Sequence, residues 1–350
     1  MKAVILHDLI PSDANLDHKD VLYQTDAIVH ILEEFGYEPI EINVTLELNK
    51  LLQTLIKIRP SLVFNLVESI GGKGRFIHLV PSILDYLKLP YTGCKTESLF
   101  MTSNKIVAKK LLLHAGILTS PAFTVDNLKN NYKLKLKGSY IIKSIWEHAS
   151  QGIDKNSVIK VKNTDQLLKA ILFREDLLGG ECIAEKFIEG REFNVSLLAS
   201  PQGPEVLPPG EIIFEDYPQK KIKIVCYRAK WVEDSFEYCH TPRTFEFSSP
   251  DYPLLHTLKQ IAKKCWNLFA LHGYARVDFR VDKLNNPFVL EVNANPCISP
   301  DSGYVAAADQ AGLTIKQMVK RIIDDAFQPA SPVATTKKIM QSPSLFMLST

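Results

Sequence analysis

The chain has 350 residues, of which 46% are hydrophobic and 23% charged, with a formal net charge of +2. That length supports two or three domains with their own cores. The near-neutral charge gives no electrostatic drive toward nucleic acid or an anionic membrane, and no apolar run approaches the ~20 residues of a membrane span. The six cysteines include no CxxC pair, and the nine histidines form no HExxH motif. Reduced thiols, a cytoplasmic location and no zinc site are therefore expected.

In chain order, Lys2–His7 reads as a first buried strand, too short to be the apolar core of a signal peptide. From Asp20 to Phe35 the apolar residues Val21, Leu22, Ile28, Val29, Ile31, Leu32 and Phe35 follow helical spacing, and Gly36 supplies a stop. Pro39–Val44 is a second strand, Leu46–Ile58 a second helix, and Ser61–Val67 a third strand. The loop Gly71-Gly72-Lys73-Gly74 leads to a helix through Ile83 and Leu87. This βαβα order predicts a small parallel sheet.

Residues 97–117 read as a helical link. Strands are expected at Tyr140–Lys143, near Val158–Val161 and at Cys182–Phe187, with a polar loop at 146–152 and a helix at Asp165–Leu178. Asn194–Ala199 opens a third, β-rich segment, and a last helix covers Ile315–Ala326. The tail from Pro329, rich in Ser, Thr and Pro, is expected to be flexible.

The strongest signal closes the β-rich segment. Gly273–Asp282 and Phe288–Pro296 each alternate polar and apolar residues around the polar turn Lys283-Leu284-Asn285-Asn286. A hairpin with that loop sets Asp278 opposite Glu291 and Arg276 opposite Asn293. Arg276 and Asp278 then share a face, as do Glu291 and Asn293. Leu290, Val292, Val277 and Phe279 supply the other, buried face. Opposed carboxylates repel, so such a site calls for a cation. Oxygen donors from Asp, Glu and Asn suit magnesium, which keeps several waters and bridges phosphates. The plainer alternative is an exposed hairpin with paired charges. Arg276 is either a partner in a salt bridge or a planar fork for a developing oxyanion.

Three weaker signals precede it. Lys143 ends a strand before the loop Glu147–Ile153, where a lysine and backbone N–H groups suit phosphate, although Walker A spacing is absent. Glu185 and Glu192 flank a strand–loop–strand link and are either adenosine-binding acceptors or an exposed acidic linker. Tyr227-Arg228-Ala229-Lys230-Trp231 reads as a basic strand, with Lys230 either meeting a terminal phosphate or guarding a sheet edge.

Taken in order, these pieces resemble the ATP-grasp superfamily and, within it, the D-alanine–D-alanine ligase family. The resemblance is carried by Ser103-Asn104-Lys105, Tyr140–Lys143 with residues 147–152, and Glu185-Lys186-Phe187-Ile188 with Gly190 and Glu192. It continues through Ala229-Lys230-Trp231, Arg276-Val277-Asp278, and Leu290–Asn293 with Asn295-Pro296. Leu89-Pro90-Tyr91-Thr92-Gly93 is similar to the family's close of the first domain. The resemblance implies an α/β (α+β), three-segment ATP-grasp fold. Its parts are a parallel-sheet domain at 1–96, a central subdomain at 97–187, a catalytic subdomain at 188–328 and a flexible tail at 329–350. The nucleotide cleft lies between the last two subdomains.

It further implies ATP and magnesium (or manganese) as cofactors. Lys105 and Lys143 would meet phosphates or adenine, and Glu185, Phe187, Ile188 and Glu192 would line the adenosine pocket. Ser150 and Lys230 would attend the phosphates, Asp278, Glu291 and Asn293 would hold the metal, and Arg276 would stabilise a tetrahedral intermediate. The implied reaction joins a small carboxylate to an amine through an acyl phosphate, and a homodimer is one assembly open to it. Where the family carries a Gly-rich turn with Ser-x-Glu, a His-Gly pair and a Pro-Gly step, this chain reads Leu9–Asn15, Val67-Glu68-Ser69 and Pro296-Cys297. The substrates are thus open between two small amino acids and a larger acceptor. A catalytically silent ATP-binding protein is the third reading.

Overall fold

The computed structural model describes residues 1–10, 16–130, 134–147 and 152–328. The expected tail and Ser150 lie outside the described residues. The chain begins with β1 (Lys2–Asp8), α1 (Leu16–Glu34), β2 (Glu38–Val44), α2 (Leu48–Ile58), β3 (Leu62–Asn65) and α3 (Leu79–Leu87). The three strands form a parallel sheet in the order β2-β1-β3, as the βαβα pattern requires. One face of β1, through Val4 and Leu6, packs with Leu51, Leu55, Val80 and Leu84 of α2 and α3. Its other face, through Ala3 and Ile5, packs with Ile28 and Leu32 of α1.

The expected helical link is two helices, α4 (Thr96–Ser103) and α5 (Lys105–His114). Asn104 divides them: its backbone is extended, and its side-chain Oδ1 accepts from the N–H groups of Ile106 and Val107 at 3.0 Å. That N-cap satisfies donors a continuous helix would satisfy itself. Then follow β4 (Ala122–Phe123), α6 (Val125–Asn130), β5 (Gly138–Ser144), β6 (Val158–Val161), α7 (Thr164–Leu178) and β7 (Cys182–Lys186). Their strands make a second sheet in the order β4-β7-β5-β6.

A third, antiparallel sheet is built from β8 (Arg191–Leu198), β9 (Glu205–Val206), β10 (Gly210–Ile212), β11 (Arg243–Thr244), β12 (Tyr274–Val281) and β13 (Pro287–Asn293), in the order β11-β10-β8-β12-β13 with β9 beside β8. Between its strands lie α8 (Tyr227–Trp231), α9 (Phe236–Cys239) and α10 (Tyr252–Leu268), and after them α11 (Gly303–Gln310) and α12 (Ile315–Ala326). The 17-residue α10 falls in the stretch expected to be β-rich. Its buried positions Leu254, Leu258, Ala262 and Cys265 recur at helical spacing and cover the inner face of the sheet with Phe193, Val195, Val277 and Phe279. Each fully buried large apolar side chain of this kind contributes about 1.5–3 kcal/mol.

Tyr227–Trp231 is also corrected, from a basic strand to the helix α8. Cys226 and Ala229 sit one turn apart and bury together with Ile224 against Ile153, Val158 and Phe187. Five residues are too few for periodicity to separate helix from strand.

The hairpin pairs in the expected register, with Arg276 opposite Asn293 and Asp278 opposite Glu291. Beyond Asp278 a bulge shifts the pairing, so Phe279 faces Val289. The bulge corrects one assignment: Val289 is buried with Val277, Phe279 and Val292, whereas Leu290 turns to line the cleft. An extra residue in one strand of a pair re-aims its side chain in this way.

Gly190 passes so close to β12 that a Cβ there would sit 1.9 Å from the carbonyl oxygen of Val281, and its φ is 152°. Gly190→Ala is therefore expected to cost more than about 2 kcal/mol, read as a lowered thermal midpoint. An unchanged midpoint would contradict this packing.

Candidate active site

A cleft of about 500 Å³ opens between the second and third sheets, within the size range of ligand pockets. The parallel sheet contributes Glu68 at its edge, and α1 contributes Asp20. One wall is apolar: Ile141 from β5, Phe187 and Ile188 just after β7, Ile153, Ile212, Ile224 and Leu290. Much of the remaining lining is charged.

Lys143 lines the cleft, and two further lysines, Lys105 and Lys109, are buried behind it. Lys105 and Lys109 lie one turn apart on α5, on one face, and Lys143 comes from β5. Lys109 and Lys143 flank Glu185 of β7, at 3.2 Å and 3.0 Å from its two carboxylate oxygens. Glu185 is 1% exposed. Burial alone would raise its pKa, but the two ammonium groups lower it below the ordinary carboxylate value. Burial lowers Lys105, and brings Lys109 down to about 8 despite Glu185. Lys109 is held by Thr119 Oγ1 at 2.8 Å and the Ser120 carbonyl at 3.2 Å, and Lys105 donates to the Glu147 carbonyl at 2.5 Å. Glu185, expected as an adenosine acceptor, thus serves first as counter-charge to two lysines. Sequence reading missed Lys109, although its spacing of four from Lys105 on a helix was a usable signal.

Across the cleft, the third sheet offers Arg276, Asp278, Glu291 and Asn293. Arg276 grips Asp278 in a fork, Nε to Oδ1 at 2.7 Å and Nη2 to Oδ2 at 2.9 Å. Asn194 of β8, directly beside Asp278, donates to Oδ1 at 2.7 Å. Burial opposes the charge of Arg276, yet the adjacent Asp278 carboxylate carries its pKa above the ordinary value. Glu192 lies 2.7 Å from Arg280, whose guanidinium stands over the Phe187 ring at 5.5 Å. Arg280 also donates to the Gly190 carbonyl at 3.1 Å and to that of Lys223 at 2.5 Å, tying the loop before α8 to β12. Lys230, on α8, reaches the same space. Its pKa is lowered, first by desolvation and then by repulsion from Arg276.

The cleft therefore brings together Lys105, Lys143, Glu185, Phe187, Ile188, Glu192, Lys230, Arg276, Asp278, Glu291 and Asn293, with Lys105 just behind the lining and tied to Glu147. Ser150 lies outside the described residues. Among those residues no group of three or more acidic, His or Cys side chains forms a ready-made metal cage. Two carboxylates and the Asn293 carbonyl, all hard oxygen donors on adjacent strands, fit a magnesium ion that takes its remaining ligands from water and phosphate. Asn293 Oδ1 accepts from the Asn295 N–H at 2.9 Å, which fixes its orientation and leaves a lone pair.

This is the architecture of an ATP-grasp ligase, a fold matched by solved structures. The Bacillus anthracis D-alanine–D-alanine ligase complexed with ATP superposes with a TM-score of 0.68 at 20% identity, covering 93% of this chain and 97% of that one. The VanG D-Ala:D-Ser ligase of Enterococcus faecalis gives 0.66 at 18%, covering 93% and 99%. The chain belongs to the D-alanine–D-alanine ligase family: residues 119–324 match the model of the D-ala D-ala ligase C-terminus. A protein of Sinorhizobium fredii named only as uncharacterized protein y4sG is 30% identical over 310 residues, 86% of each chain. The D-alanine–D-alanine ligase of Bartonella bacilliformis is 27% identical over 302 residues, 86% of this chain and 90% of its own.

Glu185→Gln leaves two buried ammonium groups without their anion. It is expected to destabilise the fold by about 3–5 kcal/mol, measured by urea unfolding. Adding Lys109→Met should recover part of that loss. Equal stability of Glu185→Gln and the parent would show that the lysines do not depend on this carboxylate.

Proposed function

We propose that the chain is an ADP-forming carboxylate–amine ligase of the cytoplasm. In this reading ATP phosphorylates a substrate carboxylate, and an amine then attacks the acyl carbon and expels phosphate, leaving a peptide-type bond. The observation that carries the reading is the opposition of Asp278 and Glu291 across β12 and β13, with Asn293 beside them, in the same cleft as Lys143 and Lys230. Acidic and basic groups converge there as the binding of a magnesium nucleotide requires, since phosphoryl transfer is catalysed mainly by positioning and charge neutralisation.

In that role the apolar wall of Ile141, Phe187, Ile188 and Leu290 takes the adenine, and Glu192 accepts from ribose hydroxyls. Lys105 and Lys143 neutralise phosphate oxygens, and Lys230 does the same from α8. Asp278, Glu291 and Asn293 would hold the magnesium, or manganese, whose contribution is to offset charge on the phosphates. Arg276, which stays charged, donates to the oxyanion of the tetrahedral intermediate. The stretch 218–239, which includes α8 and α9, acts as a lid that keeps water from the acyl phosphate. Arg280, bonded to the Lys223 carbonyl, anchors it.

Two small amino acids are the first substrate pair to test. A larger acceptor is the second reading, favoured by Glu68 at the cleft edge in the place where the resemblance called for a His-Gly pair. A screen of amino-acid pairs for ADP release, with product mass measured, tests both readings. Asp278→Asn and Glu291→Gln should each lower turnover at least about 100-fold; Asp278→Asn, which also takes the anion from Arg276, should lower the thermal midpoint as well. Turnover at the parental rate in either variant would sink the mechanism.

A further inference from the structure

The strand β13 ends at Asn293, and the chain runs straight on into residues 294–299. This short segment is bonded at three points to the first part of the chain. Asn295 Nδ2 donates to the Val67 carbonyl at 3.0 Å, Cys297 Sγ to Asp20 Oδ2 at 3.0 Å, and the Ile298 N–H to Gln24 Oε1 at 3.0 Å. Val67 precedes Glu68 in the loop after β3, and Asp20 and Gln24 lie on α1. The two acids brought to the cleft from this side, Glu68 and Asp20, are therefore tied to the chain immediately after Glu291 and Asn293.

Asn295 is the centre of the arrangement, with contacts in three parts of the chain. Its N–H donates to Asn293 Oδ1 at 2.9 Å, its Oδ1 accepts from the Tyr274 hydroxyl at 2.8 Å, and its Nδ2 reaches Val67. The direction of the amide is fixed, because a backbone carbonyl only accepts and Nδ2 must face it. The supports are stiff. Tyr274 is fully buried and packs edge-on against Tyr304 at 5.7 Å. Pro296 restricts the backbone of the residue before it to extended conformations. From its own sheet the Glu68 loop is held by Asp8, at the end of β1, which accepts from the Glu68 N–H at 2.8 Å and the Ser69 hydroxyl at 2.5 Å. Asn295 grips the same loop from the side of β13.

We propose that Asn295 is a positioning residue, coupling the binding of a magnesium nucleotide at Asp278, Glu291 and Asn293 to the ordering of the Val67-Glu68-Ser69 loop. The proposal rests on the ligase reading above. A cation taking the remaining lone pair of Asn293 Oδ1 stills the turn from Asn293 to Asn295, and the Asn295 side chain carries that restraint to Val67. The loop is then ordered at the nucleotide step, and a substrate arriving at Glu68 meets it already in place. Coupling of this kind is reciprocal: an occupant beside Glu68 tightens the nucleotide by the same factor.

The test follows hydrogen–deuterium exchange in the full chain, reading the peptide that covers residues 62–70. It compares the free protein, ADP with EDTA, and magnesium–ADP at saturation established by calorimetry. In the parent, magnesium–ADP should slow exchange in this peptide about 10-fold, an ordinary size for coupling between sites, and ADP with EDTA should not. Asn295→Ala keeps the backbone N–H that orients Asn293, so it should still bind magnesium–ADP. Its peptide should exchange faster than the parent's and respond little to the nucleotide. A purely structural tie would loosen the peptide but leave that response intact. Tyr274→Phe, which removes the hydroxyl that orients the Asn295 amide, should weaken the response in the same direction. It decides the matter if the thermal midpoint shows that Asn295→Ala does not fold.

No slowing in the saturated parent, equal slowing by ADP in EDTA, or an undiminished response in the folded variants overturns the proposal and leaves the ligase reading standing. Failure of magnesium–ADP to bind the parent at all ends the ligase reading, and the coupling with it.

Discussion

The site depends on two carboxylates held opposite one another on paired strands. Asp278 and Glu291 face each other across β12 and β13, an arrangement that costs energy unless a cation answers it. Arg276 supplies part of that answer from two residues away on β12, and Asn194 on the neighbouring strand fixes Asp278 from the other side. The sheet register is what keeps this together. A slip of one residue would send every side chain of the hairpin to the other face, placing Val277 and Val292 in the cleft and the acids in the core. The close-packed layer of Phe193, Val195, Val277, Phe279 and Val292 beneath α10 forbids that slip. The core therefore sets the chemistry of the opposite face.

The second organising fact is unequal charge. Glu185 alone stands against Lys109 and Lys143, and burial lowers the affinity of Lys105, Lys109 and Lys230 for their protons. Holding ammonium groups out of water costs free energy that the fold recovers elsewhere. A polyanion such as the proposed nucleotide would relieve that cost on entering the cleft.

Some of this was readable in order along the chain. Alternation in residues 273–282 and 288–296 gave the hairpin and its register, because a half-buried strand has period two and a polar turn fixes the loop. The βα alternation of the first ninety or so residues gave the parallel sheet. The bulge after Asp278 was not readable, since a single extra residue leaves alternation almost intact, and it exchanged the roles of Val289 and Leu290. The helix α8 was too short for its period to register. The helix α10 did carry a pattern, in Leu254, Leu258, Ala262 and Cys265, and was passed over.

What the sequence determined by itself was local: the βαβα order of the first sheet, the hairpin, and that Asp278 and Glu291 meet, all set by interactions between near neighbours. What only the tertiary structure decided was which distant charges share one space. Lys109 finds Glu185 from 76 positions away along the chain, Asn194 finds Asp278, and Asn295 finds Val67. Such contacts depend on how whole sheets and helices pack against one another, and side-chain periodicity carries no record of that.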